Sequence, residues 1–293
     1  MHNTQTSQPT VKDILRARHA TLTLAERQVV SVLLQDYPVA GLQSITELAD
    51  TAKVSSPTVV RLARKLGFDG FTGLQDALRH EISEQIRKPA SKLDRAQQDH
   101  DDSHTLFRFA ETAVRNLQGT LDRIDFEEFD TVATLLTDTS RPIYLEGGRI
   151  TRSVADHLYN HLQIIRPGVT PLGRVPAVWP QYLLDMDARA ILILFDIRRY
   201  ESDLSKLARL GRESGATLVL FTDQWNSPIA RHADHVFSTM VEAPSGWDST
   251  LSLQLLVEAL VAQVQTLLPN QGRDRIERLE GMFTETRLFR DFN

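Results

Sequence analysis

Six consecutive residues, Asp196-Ile197-Arg198-Arg199-Tyr200-Glu201, follow the apolar run Ala190–Phe195. An amphipathic segment and a second apolar run, Thr217–Phe221, come next. That order reads as a β-α-β unit of a parallel sheet, in which ligands sit at the carboxyl ends of the strands. Two guanidiniums and two carboxylates in such a turn suit oxyanion binding, because guanidinium grips planar carboxylate or phosphate through paired N–H groups. A second polar turn, Glu146-Gly147-Gly148-Arg149-Ile150-Thr151, follows the apolar Ile143–Leu145 and adds glycines, an arginine and a hydroxyl. The expected ligand-site residues are Gly147, Gly148, Arg149, Thr151, Asp196, Arg198, Arg199 and Glu201. Two arrangements are open. In one, Arg149, Arg198 and Arg199 form a fork for a carboxylate or phosphate while Asp196 and Glu201 accept from hydroxyls or amines. In the other, Asp196 and Glu201 pair with the arginines and the site is filled by its own side chains.

A different chemistry is written near the N-terminus. Ser44 and Glu47 have the form of a capping box. After a break at Lys53-Val54, Ser55-Ser56-Pro57-Thr58 carries the serine and early proline of a helix start. Val59, Val60, Leu62, Ala63 and Leu66 supply a buried face, and Gly67 closes the helix. Two short helices so joined have the layout of a helix-turn-helix, whose second helix enters the DNA major groove. No acidic residue stands between Asp50 and Asp69, whereas Lys53, Arg61, Arg64 and Lys65 are basic. The expected DNA-binding residues are Ser44, Lys53, Ser55, Ser56, Thr58, Arg61, Arg64 and Lys65. Hydroxyls donate to phosphate and arginine reads guanine. The competing reading is a solvated basic face on an ordinary helical bundle.

Other polar groups carry less. His157 and His161 stand four apart on a helical stretch without the glutamate of a zinc-protease motif, and they read as two helix histidines. Glu127 and Glu128 are adjacent on the chain and point apart on a helix. No metal and no cofactor is expected.

These groups need elements to position them. The 293 residues, 41% hydrophobic and 24% charged, have room for two folding units. A net charge of −5 gives no overall pull toward nucleic acid, so such binding needs a local patch. With no cysteine there is no disulfide or thiolate site, which suits a cytoplasmic protein. The polar first ten residues read as a frayed arm rather than a signal peptide, and no apolar run is long enough to span a membrane. The expected division is a helical unit at 1–86, a linker and connecting helix at 87–125, an α/β unit at 126–270 and a helical tail at 271–293. Strands are expected at Ile143–Leu145, near Gly168–Leu172, and at Ala190–Phe195, Thr217–Phe221 and His235–Ser238. Alternating with helices, they make a doubly wound parallel sheet. Leu106, Phe109, Ala110, Val114, Leu117, Leu121 and Ile124 form one apolar stripe, a candidate dimer contact.

The segment Leu22–Ile82, ending in Gly67-Phe68-Asp69-Gly70-Phe71, resembles the N-terminal helix-turn-helix of RpiR-type transcriptional regulators. That resemblance implies a C-terminal sugar isomerase (SIS) domain, and Gly215-Ala216-Thr217 and Thr222-Asp223 with Ser227 to Asp234 are similar to its pattern. Such domains bind phosphosugars through a Ser-x-Ser-Gly-x-Thr loop. This chain has Asp196 and Arg198 at the serine places, Arg199 at the glycine and Glu201 at the threonine. In the first loop Arg149 replaces a glycine, while Thr151 keeps a hydroxyl. The resemblance implies a one-component regulator, at least a homodimer or a homotetramer, binding a double-stranded operator. Its effector would be a sugar acid, a carboxylate or a phosphosugar. The alternatives are a SIS-fold phosphosugar isomerase or lyase, and a regulator whose SIS domain only dimerises.

Overall fold

The computed structural model describes residues 10–35, 37–86, 103–287 and 289. The arm at 1–9 and the linker stretch 87–102 lie outside the described residues. The chain divides into two compact units, 1–92 and 93–293.

The first unit is helical: α1 (Val11–Arg18), α2 (Leu24–Gln35), α3 (Ile45–Thr51), α4 (Ser56–Lys65) and α5 (Gly70–Ile86). Local chemistry sets the ends. Ser44 Oγ accepts the Glu47 N–H while the Glu47 carboxylate accepts the Ser44 N–H, so the expected capping box starts α3. Lys53 adopts φ +53° in the turn from α3 to α4, and Gly67 ends α4 at φ +99°. Val59, Leu62, Ala63 and Leu66 are buried, whereas Val60, expected with them, is only half-buried. Burying a side chain such as Leu62 contributes about 2 kcal/mol. This face packs on Val29, Val30, Leu33, Leu48 and Leu74, which fixes the direction of the opposite face of α4.

The second unit opens with α6 (Thr105–Leu121) and α7 (Phe126–Thr137). It continues through β1 (Ile143–Gly147), α8 (Arg152–Ile165), β2 (Val169–Pro171), α9 (Trp179–Leu184), β3 (Ile191–Asp196) and α10 (Ser202–Glu213). The last elements are β4 (Thr217–Asp223), β5 (His235–Thr239), α11 (Leu251–Leu267) and α12 (Pro269–Thr286). All strand pairs are parallel, in the order β2-β1-β3-β4-β5. Alternation along the strands divides two cores. Ile191, Ile193 and Phe195 face α7, α8 and α11, while Leu192 and Leu194 face α9 and α10. The order reverses between β1 and β3, so their carboxyl ends flank a crevice.

Helix α6 sets its apolar stripe largely outward. Its inner face carries Asn116 and Thr120, which donate to and accept from backbone: Asn116 Nδ2 to the Glu242 carbonyl at 2.6 Å, and Met240 N–H to Thr120 Oγ1 at 2.9 Å. Leu106, Val114 and Leu121 are exposed, together with Phe107. These polar side chains dock the helix on backbone groups of the segment that leaves β5. On β5 itself, Glu128 of α7 accepts the Val236 N–H at 3.2 Å.

Candidate functional site

In the first unit, α4 gathers most of the expected DNA-facing groups. Ser55 Oγ lies 2.9 Å from Thr58 Oγ1, which also accepts from Arg61 Nη2 at 3.1 Å. Lys53, Ser55, Arg61 and Arg64 are exposed, and Ser56 and Thr58 are half-buried. Lys53, Arg61 and Arg64 make no ion pair with the described residues. Ser44 is exposed but its hydroxyl is committed to the α3 cap. Lys65 differs from expectation: its ammonium turns to α2 and donates to Glu26 Oε2 at 2.8 Å and to the Thr21 carbonyl at 3.0 Å. That hydrogen bond holds the Glu26 carboxyl below its usual range.

In the second unit, the crevice between β1 and β3 is built by loops that bond to one another. Gly148 N–H and Thr151 Oγ1 both donate to the Phe195 carbonyl, at 3.0 and 2.6 Å. A Cβ at Gly147 would stand 2.7 Å from Arg152 N, so only glycine lets β1 turn this sharply into α8. Arg149 N–H donates to Glu201 Oε1 at 2.6 Å, bridging the two loops. The Arg149 guanidinium lies 5.8 Å from the Trp247 ring centre, and both side chains are exposed. Arg199 is also exposed and holds φ +69°, a backbone shape that the glycine of the resembled loop would adopt without strain.

Arg198 corrects the expected arginine fork. Its side chain is 1% exposed, forms an ion pair with Asp248 through Nε and Nη2, and lies 4.1 Å from the Trp225 ring centre. Among the described residues its ion-pair partner is Asp248, where the alternative arrangement had named Asp196 and Glu201. Asp196 instead accepts from Ser227 Oγ and from Glu201 N–H at 3.2 Å. Burial pushes its carboxyl up to about 7, with Asp223 and Glu201 adding to the rise. Asp223 accepts from Arg198 N–H, Tyr200 Oη and Trp225 N–H, and burial raises it to about 6. Glu146 is buried and accepts from Gly147 N–H and Arg152 Nη1; burial lifts it to about 7. Its Oε2 is buried without a partner.

Glu146 and Asp223 thus join the site unforeseen as members, whereas Asp248, which the sequence offers either as a rim of the pocket or as a cap of the following helix, pairs with Arg198. A terminal position on β1 or β4 was the available signal for both, and the place of Asp248 after the last strand was the signal for it. His157 and His161 lie on one face of α8 with ring centres 4.4 Å apart. Among the described residues no three potential ligands gather for a metal, and no single helix is long and apolar enough to cross a membrane.

A helix-turn-helix unit with an acid-free second helix, joined to a parallel α/β unit, defines a class of DNA-binding regulators in one chain. The profile of the rpiR-family helix-turn-helix domain matches residues 10–85, and that of the SIS domain matches residues 136–263. The chain belongs to the RpiR family of transcriptional regulators with a SIS domain. It is 25% identical to the HTH-type transcriptional regulator RpiR of Escherichia coli over 76% of this chain and 73% of that protein. It is 26% identical to the HTH-type transcriptional regulator HexR of Pseudomonas aeruginosa, over 74% of each chain. Among solved structures, the sugar isomerase domain of an RpiR transcription factor from Sphaerobacter thermophilus is similar at a TM-score of 0.57. That pair is 20% identical and covers 61% of this chain and 99% of that one. The Vibrio vulnificus NanR protein complexed with ManNAc-6P is similar at 0.55, with 19% identity, covering 94% and 98%.

Proposed function

We propose that the chain is a cytoplasmic operator-binding regulator whose α/β unit senses a small anionic or zwitterionic metabolite. The observation that carries the DNA half is the face of α4: Lys53, Arg61 and Arg64 exposed in a stretch without carboxylates, opposite a fully buried apolar face. Ser55, Ser56 and Thr58 at the helix start donate to phosphate, and Arg61 reaches a base edge. Lys65 and Ser44 act from within, by holding α4 on α2 and by capping α3. In the sensing half, Arg149 and Arg199 are the exposed cations at the mouth of the crevice, and Trp247 gives an apolar wall. The ManNAc-6P held by NanR is a precedent for a sugar derivative on this fold. A helix-turn-helix needs two half-sites for useful affinity, and the exposed Leu106, Phe107, Val114 and Leu121 of α6 offer a surface for pairing two copies. An isomerase reading is less well supported, because the loop hydroxyls are spent on internal bonds.

The test is selection of bound DNA fragments by the purified chain, followed by anisotropy titration on the recovered operator at fixed salt. Arg61→Ala is expected to weaken binding by about 1–3 kcal/mol and to relax preference at one base position. Unchanged affinity and preference would remove Arg61 from the interface. Recovery of no enriched sequence would overturn the regulator reading.

A further inference from the structure

We infer that Glu201 sets what the β1/β3 crevice accepts: its carboxylate occupies the crevice's anion position from within, so the site takes an unphosphorylated ligand. This deepens the sensor reading above and rests on it.

Glu201 stands immediately before α10, yet its side chain makes no cap for that helix. It crosses instead to the loop after β1 and takes the Arg149 N–H at 2.6 Å. There it lies against Gly148, where a Cβ would be 3.0 Å from Glu201 Oε1 and 3.4 Å from Thr151 Oγ1. The carboxylate therefore sits between two strand-to-helix loops at the point where the sheet order reverses. Backbone N–H groups and a helix start favour negative charge at such a place. An oxyanion is already seated there, and the chain itself supplies it.

Four further donors are committed as well. Gly148 N–H and Thr151 Oγ1 serve the Phe195 carbonyl, Ser227 Oγ serves Asp196, and Arg198 serves Asp248. An incoming phosphate would have to expel Glu201 and then place its charge near Asp196 and Asp223, both buried. A further anion beside these carboxylates is repelled once they ionise. A ligand without phosphate need not displace Glu201, and it has the exposed Arg149 and Arg199 for a carboxylate of its own.

Calorimetric titration of the full-length chain with inorganic phosphate and with glucose 6-phosphate tests this, using wild type, Glu201→Thr and Glu201→Gln. Wild type is expected to show no saturable binding of either probe at millimolar concentration. Glu201→Thr, which empties the position, should bind at least about tenfold more tightly. Glu201→Gln, which keeps size and removes charge, should move the same way by less, and it alone decides if the threonine variant does not fold. Saturable binding by wild type as tight as in the variants, or no gain in either variant, overturns the assignment. DNA is absent from this titration. A chain that bound no operator would sink the regulator reading and leave the Glu201 result standing.

Discussion

Arg199 combines an exposed side chain with φ +69°. For an L-residue with a Cβ this region costs about 1–2 kcal/mol. Glycine would relieve the strain but add freedom to the unfolded chain, which returns part of the gain. Arg199→Gly is therefore expected to raise stability by up to about 1 kcal/mol, read as a higher urea midpoint with an unchanged slope. A lower midpoint would mean that the guanidinium makes a stabilising contact. At this scale the sequence was only half legible. Residue types in the two loops marked a polar crevice, because turns after strands are local events. Who pairs with whom was hidden: Arg198 meets Asp248 across 50 residues, and Arg149 meets Glu201 across 52. Such pairings depend on the parallel crossover, which brings distant loops to one end of the sheet.

Elements were the most readable level, and α3 and α4 show why. A capping box, a serine with proline in the first turn and a closing glycine act within a few residues, so the helix ends could be read directly. What α4 does with each exposed residue depends on its neighbours. Lys65 sits on the same helix as Arg61, yet its ammonium closes onto Glu26 and Thr21. Lys65→Ala should cost about 1 kcal/mol of stability in the first unit, since it leaves Glu26 without its cation. It should leave the salt dependence of operator binding nearly unchanged. Arg64→Ala should lower that slope by about 0.9 if its guanidinium neutralises one phosphate. Urea melts and anisotropy titrations across salt check both; a reduced slope for Lys65→Ala would return Lys65 to the interface. The stripe on α6 was legible only in part. Periodicity locates an apolar face but does not say whether protein or solvent covers it.

For the molecule as a whole, the buried carboxylates of the α/β unit set its response to pH. Asp196 rises from 3.8 to about 7 on folding, so the folded state binds the proton more readily than the unfolded chain. Its contribution is fully present below pH 3.8 and is lost as pH rises through about 7. The same sign holds for Glu146, at about 7, and for Asp223, at about 6. The second unit should therefore melt at a higher temperature at pH 6 than at pH 8. Asp196→Asn, which stays neutral throughout, should flatten that difference. Calorimetric melts of both chains decide; an identical pH dependence would mean that Asp196 stays ionised in the folded state.

One detail at the border of the sheet reaches further than its size. Glu128 takes the amide of Val236 on the open side of β5, and Thr120 takes that of Met240 just past its end. A border strand with bare amides is a template onto which a foreign strand can zip. With these amides already claimed by α6 and α7, lateral growth of the sheet on this side is closed. The pairing of copies proposed for the greasy outer surface of α6 would then proceed without fusing strand to strand.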